Sequence, residues 1–320
     1  MVILKEIEDA YKRIKNTINK TPVMTSRTLN ALVKAKVFCK CENFQRMGAF
    51  KFRGAYNTLK QLSKEEKLKG VITHSSGNHA QALALSAKLI GIKATVVMPS
   101  GSPQVKINAT KGYGAEVVLC ENTLASREET TNKLIAEHGY VLIHPYDNDI
   151  IIRGAGTAAL ELIKEVGDLD FVFCPVGGGG LLSGTSIATK GLCPGAKVIA
   201  VEPKNADDAY KSFQAGKIIT NETSNTIADG LRTHLCERTF KIIKDNVDQV
   251  ILVTEQQIID AMRFLWERMK IVVEPSGSVP IAGLLSGQVN VENTRVGVIL
   301  SGGNIDLEDF FRFLQEKIKG

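Results

Sequence analysis

The chain has 320 residues, 44% of them hydrophobic and 23% charged, with a formal net charge of +6. That is enough length and apolar content for one large or two moderate domains, and its 40 Lys and Arg are spread along the chain rather than gathered in a basic stripe, which argues against nucleic acid. No stretch reaches the roughly 20 uninterrupted apolar residues of a membrane helix, and the opening MVILKEIEDAYKRIKN turns charged too early for a signal peptide, so a soluble cytoplasmic protein without a membrane partner is expected.

In chain order, Cys39 and Cys41 fall on one face of a predicted strand. The six cysteines are scattered and lack the paired two-residue-gap spacing of a structural zinc site, so buried reduced thiols are expected. Lys51 follows in GAFKFRGA, between Phe50 and Phe52 and before Arg53. Aromatic neighbours and a nearby cation would both disfavour the ammonium form, favouring the neutral amine that a carbonyl ligand requires. GVITHS at 70 to 75 reads as a strand, and the helix after Asn78 carries Ala80, Leu83, Ala84, Ala87 and Ile90 on one stripe before Gly91 stops it. The turn between them, HSSGNHAQ at 74 to 81, is dense in polar groups. Ser76 or Asn78 could cap the helix, but capping needs only one of them, and the rest suit a ligand.

Further strands are predicted at 94 to 99 (ATVVMP), 116 to 121 (EVVLCE), 171 to 177 (FVFCPVG), 197 to 203 (KVIAVEP) and in the VGVILSGGN segment at 296 to 304. Alternation of apolar strands with helices predicts an α/β fold of parallel sheets covered by helices, with ligands at the carboxyl ends of the strands. Residues 68–141 form a compact series of such units, a candidate small domain inserted into a larger one made of 1–67 and 142–320.

Three Gly- and Ser-rich turns fall at those strand ends. VGGGGLLSG, from Val176 to Gly184, opens a predicted helix, so the successive amides of Gly177, Gly178, Gly179 and Gly180 could wrap an anion such as a phosphate. It is not the dinucleotide fingerprint, because Leu182 stands where the third glycine belongs. After the strand at 197 to 203, Glu202 and Asp208 stand six positions apart. Their hard oxygens would suit Mg or Ca, and a solvated acidic loop is the alternative. SGGN at 301 to 304 ends the last strand, where Ser301 could donate to a heterocycle nitrogen.

Taken in order, ENFQRMGAFKFRGA, SSGNHAQALA, VGGGGLLSG, EPKNADD, TIADG, ERMKIVVEPS and VILSGGN resemble the serine racemase and serine/threonine dehydratase group of fold-type II pyridoxal-phosphate (PLP) enzymes, over nearly the whole chain. The resemblance implies a two-lobed fold like that of tryptophan synthase β, with Lys51 holding PLP as a Schiff base and Phe50 against its ring. Gly177 to Gly180 would bind its phosphate, Asn78 its ring hydroxyl, and Ser301 would face its nitrogen. It further implies Lys51 and Ser76 as bases on opposite faces of the substrate, a small hydroxy amino acid. Ser75, Ser76, Asn78, His79, Arg127 and Thr233 would surround it. Mg (or Ca, Mn) would be held by Glu202, the carbonyl of Ala206 and Asp208. An ATP effector near Tyr113, a homodimer and closure of the smaller lobe also follow from the resemblance alone. Tyr146, Arg153, Ala155 and Thr233 depart from the animal racemases.

The function implied is racemisation of serine accompanied by α,β-elimination, which gives pyruvate or 2-oxobutanoate plus ammonia. The nearest rival is threo-3-hydroxyaspartate ammonia-lyase, whose extra substrate carboxylate would call for a cation from His144, Arg153 or Arg232. A nicotinamide dehydrogenase is disfavoured by the failed glycine fingerprint. A silent binding protein is disfavoured because Lys51, Ser76, Asn78 and Ser301 are present together.

Overall fold

The computed structural model describes residues 2–102 and 104–315. Two sheets organise them. The larger is built from Val23–Met24 (β1), Lys36–Cys41 (β2), Phe171–Pro175 (β7), Lys197–Pro203 (β8), Gln249–Val253 (β9) and Arg295–Leu300 (β10), in the order β1-β2-β10-β7-β8-β9. All its pairings are parallel except β1 with β2. The smaller is fully parallel and runs β5-β4-β3-β6, from Val71–His74 (β3), Ala94–Pro99 (β4), Glu116–Cys120 (β5) and Val141–Leu142 (β6).

The strands take this form because apolar β-branched runs can be covered on both faces. β4 is buried from Ala94 to Met98 and β8 from Val198 to Pro203, whereas β5, at an edge, is only half-buried and leaves Leu119 exposed. Each sheet has its own apolar core, one around Leu83, Val96 and Met98 and two on either side of the larger sheet. Cys39, Cys41 and Cys174 are free thiols inside these layers, and burial pushes Cys41 and Cys174 up to about 12, far from the thiolate a metal would need.

Two devices fix the helix that begins at Lys51. First, three helices meet backbone to backbone through glycines: Lys51–Leu59, Asp149–Val166 and Gly180–Leu192. A Cβ on Gly154 would stand 2.6 Å from the Gly54 Cα, and one on Gly184 would stand 2.5 Å from the Gly156 nitrogen. Second, Arg53 is fully buried in a fork between two carboxylates. Its Nε and Nη2 donate to Glu42 (2.7 and 2.8 Å), and Nη1 and Nη2 donate to Glu161 (3.0 and 2.8 Å). Lys40, also buried, closes the network on Glu161 at 2.7 Å. Removing one member would leave a charge stranded in the core, a loss of about 3–5 kcal/mol.

Candidate active site

The carboxyl ends of both sheets open onto one cleft of about 1320 Å³. Phe50, Lys51, Ser75, Ser76, Asn78, His79, Arg127, Gly177 to Gly180, Thr233 and Ser301 all line it, so the turns expected to converge do so. A second hollow of about 120 Å³, beside Tyr11 and Lys20, holds none of them.

Lys51 opens its helix, and the backbone N–H of Phe50 donates to the Ser301 carbonyl (3.0 Å), tying the lysine to the end of β10. Its Nζ donates to the Pro145 carbonyl at 2.9 Å and stands 5.3 Å from the Phe50 ring centre. Although the side chain reaches the cleft surface, the amine is desolvated, which pushes its pKa down to about 8. The expected help from Arg53 does not occur: that guanidinium is neutralised by Glu42 and Glu161, and burial alone does the shifting.

Between β3 and the helix Asn78–Ile90, neither Ser76 nor Asn78 caps the helix, whose N-cap is Gly77 with no side-chain cap bond. Ser75 Oγ accepts the Gly77 N–H at 3.4 Å. Asn78 is held from both sides: its Nδ2 donates to Glu274 (2.8 Å) and its Oδ1 accepts from Asn304 (2.8 Å). Sequence reasoning missed Glu274, although a carboxylate inside the apolar run IVVEPS was a signal. It is buried and lines the cleft, and burial, with the Asp229 charge second, pushes its pKa up to about 8, so it keeps its proton at neutral pH. His79 sits deep, its Nε2 bonded to the Ile143 carbonyl at 3.0 Å and its pKa pushed by burial down to about 3, so the ring serves packing as a neutral imidazole.

The glycine turn follows β7 and opens the helix Gly180–Leu192, with Gly179 at φ +84°. Its glycines are needed for space as well as for conformation. A Cβ on Gly178 would lie 2.5 Å from the Tyr146 ring, and one on Gly177 would lie 2.9 Å from the Leu231 Cα. Four residues without side chains, at a helix N-terminus, could cradle a phosphate.

Residues 14–302 match the model of the pyridoxal-phosphate dependent enzyme family. The chain belongs to that family. The enzyme is 50% identical to a serine racemase of Dictyostelium discoideum over 98% of each chain. It is 49% identical to the L-threo-3-hydroxyaspartate ammonia-lyase of Saccharomyces cerevisiae, over 98% of this chain and 97% of that one. The crystal structure of the Dictyostelium discoideum serine racemase superposes with a TM-score of 0.92 at 51% identity, covering 96% of this chain and 99% of the other. The fold is accordingly that of a fold-type II PLP enzyme, and the residues present fit the cofactor: a desolvated amine, a glycine cradle and an aromatic side chain meet in one cleft.

Around this centre stand groups able to hold a carboxylate. Arg127, on the helix Leu124–His138, has a buried Nε with no hydrogen-bond partner among the described residues. His144 Nδ1 accepts the backbone N–H of Asp147 (2.8 Å) and Tyr146 (3.3 Å), which leaves the proton of the neutral ring on Nε2, and burial pushes its pKa down to about 4. Arg232 lines the cleft but donates to the Thr226 carbonyl. Arg153 does not line it: it pairs with Glu6 at 2.7 Å, away from the site, because the helix Asp149–Val166 turns it toward the N-terminal helix Leu4–Ile14. Tyr113 also stays off the cleft, packed against the buried cluster that includes Phe52 and Ala82.

Glu202 ends β8 and Asp208 opens the helix Asp208–Ala215, with Ala206 in the turn between them. Both carboxylates are buried, and desolvation followed by mutual repulsion raises the pKa of Glu202. Glu202 accepts the N–H of Ala209 (2.9 Å) and Tyr210 (2.8 Å), while Asp208 Oδ2 faces His234 Nδ1 at 3.6 Å. Among the described residues, no three His, Cys, Asp or Glu side chains are gathered tightly enough to hold an ion by themselves. A backbone oxygen would have to contribute.

Proposed function

We propose that this enzyme is a serine racemase that interconverts L- and D-serine and also eliminates from serine or threonine, giving pyruvate or 2-oxobutanoate plus ammonia. The observation that carries the reading is the pairing, in one cleft, of a lysine amine pushed down to about 8 with a serine hydroxyl unspent on helix capping. Two serine racemases among the relatives, from Dictyostelium discoideum and Schizosaccharomyces pombe, agree with it.

When bound, PLP supplies an electron sink that acidifies the α-proton of an amino acid. Lys51 would hold the cofactor, then act as a neutral amine and remove that proton from one side. The Ser76 hydroxyl would return a proton to the other side, which inverts the centre. Gly177 to Gly180 would donate backbone N–H groups to the phosphate, Phe50 would lie against the ring, Asn78 would meet the ring hydroxyl, and Ser301 would meet the ring nitrogen. Ser75, Arg127, Thr233 and the backbone of Asn78 and His79 would position the substrate.

The same reading assigns residues 68–141 to a small lobe that closes on the larger one (1–67 and 142–320), and a homodimer in the cytoplasm. Glu202, Asp208 and the Ala206 carbonyl would hold Mg (or Ca, Mn). Support for the ion is the pair of buried carboxylates, whose burial and mutual repulsion raise the pKa of Glu202. An ATP effector at Tyr113 rests on the family resemblance alone.

A second reading, threo-3-hydroxyaspartate ammonia-lyase, is favoured by one feature: the unpartnered Arg127 Nε together with the donor His144 Nε2 would suit a second carboxylate. The test supplies purified protein with PLP, magnesium and either L-serine or L-threo-3-hydroxyaspartate, and follows D-serine, pyruvate and oxaloacetate. D-serine is expected. Inert serine with rapid release of oxaloacetate overturns the racemase reading in favour of the lyase.

A further inference from the structure

We propose that Arg238 is a positioning residue for the cofactor, a clasp beside the glycine turn that holds its two walls together and steadies the carbonyl on which the Lys51 amine rests. The inference rests on the reading of the cleft as a PLP site and adds a residue that does not line it. Arg238 stands in the first turn of the helix Glu237–Asn246, and its guanidinium serves two carboxylates at once. Nε donates to Asp147 (2.8 Å) and Nη1 donates to Asp149 (2.6 Å). Those partners flank Asn148, the N-cap of the helix Asp149–Val166, so the clasp joins the starts of two helices that are far apart in the chain.

The elements it joins are the two that enclose the glycines. On one side, a Cβ on Gly178 would lie 2.5 Å from the Tyr146 ring, and one on Gly180 would lie 2.9 Å from Tyr146 Cβ. On the other, a Cβ on Gly179 would lie 2.8 Å from Thr239 Cβ and 2.9 Å from Leu235 Cδ2. Arg238 adjoins Thr239 on the second wall and reaches Asp147, the neighbour of Tyr146, on the first. The same turn seats the lysine, because the Pro145 carbonyl accepts Lys51 Nζ at 2.9 Å and His144 Nδ1 gathers the N–H groups of Tyr146 and Asp147. Glycines have wide backbone freedom, so their walls must hold the amides in register for a phosphate. A lone exposed ion pair contributes little, but one planar fork shared by two carboxylates fixes the direction of both contacts.

The test measures PLP binding to the full chain by absorbance. Arg238→Met should raise the PLP Kd about fivefold at low salt, and Asp147→Asn should raise it in the same direction. The double variant should bind no more weakly than Arg238→Met alone, because the two groups act as a unit. In about 1 M KCl, which screens the contacts, the ratio of variant to wild-type Kd should fall toward one. The ³¹P resonance of bound PLP should also shift in Arg238→Met, which a loss of stability alone would not cause. A wild-type Kd and an unmoved ³¹P resonance in Arg238→Met, or effects of the two substitutions that multiply, overturn the clasp and leave the PLP site standing. A wild-type chain that binds no PLP overturns both. The isosteric Asp147→Asn decides the point by its own Kd and ³¹P resonance if the arginine variant does not fold.

Discussion

Two titrating groups line the cleft with opposite consequences. Burial holds Lys51 down to about 8, so its neutral, nucleophilic form grows as pH rises through that value. The rate at which the cofactor-free chain takes up PLP, followed by absorbance, should therefore climb between pH 7 and 9 and level off above it. Lys51→Ala should abolish the absorbance of bound cofactor and lower turnover by at least about a thousandfold. Glu274 behaves in the contrary sense. Its folded pKa is raised to about 8 from an ordinary 4.5, so the stability tied to its proton is fully present below about 4.5 and is lost as pH rises through 8. In urea melts of the cofactor-free chain, Glu274→Gln should flatten the decline in stability over that window. A variant whose melts follow the wild-type slope would show that Glu274 is not the titrating group.

At the scale of elements, the glycine turn is held open against Tyr146. Gly178→Ala would push a methyl group to within 2.5 Å of that ring, overpacking worth about 1–3 kcal/mol, and should lower Tm and weaken PLP binding together. Pairing it with Tyr146→Ala should recover part of the loss, as expected for residues in contact. The elements that carry this site are the legible ones. Strands such as Ala94–Pro99 and Lys197–Pro203 announce themselves by continuous apolar runs, and four successive glycines after a buried strand have few structural uses besides close approach. What the sequence hides is pairing across distance. The destination of Arg53 lies with Glu161, 108 positions away, and Glu274 meets Asn78 across 196, so a local reading credits Arg53 to Lys51 and passes over Glu274. Strand Val141–Leu142 is too short to carry a period. Arg153, one of three cations offered for the extra carboxylate of the rival substrate, is spent on Glu6 because helix phase, not sequence proximity, decides where a side chain goes.

At the scale of the whole molecule, polar links join the two sheet units at the cleft. Asn78 meets Glu274 and Asn304, and Lys106, on the helix Gln104–Gly112, pairs with Asp229 in the turn Asp229–Leu231. The second pair is part-exposed, so Lys106→Met should cost little stability. It should raise KM several-fold more than it lowers kcat, because the link bears on how the units meet over substrate. The central claim, that two bases serve opposite faces, is tested most directly by Ser76→Ala given L-serine in deuterated water, with D-serine, solvent deuterium in recovered L-serine and pyruvate followed together. The account predicts that D-serine disappears while Lys51 still exchanges the α-proton of L-serine and pyruvate still forms. D-serine produced by that variant at the wild-type rate would contradict it.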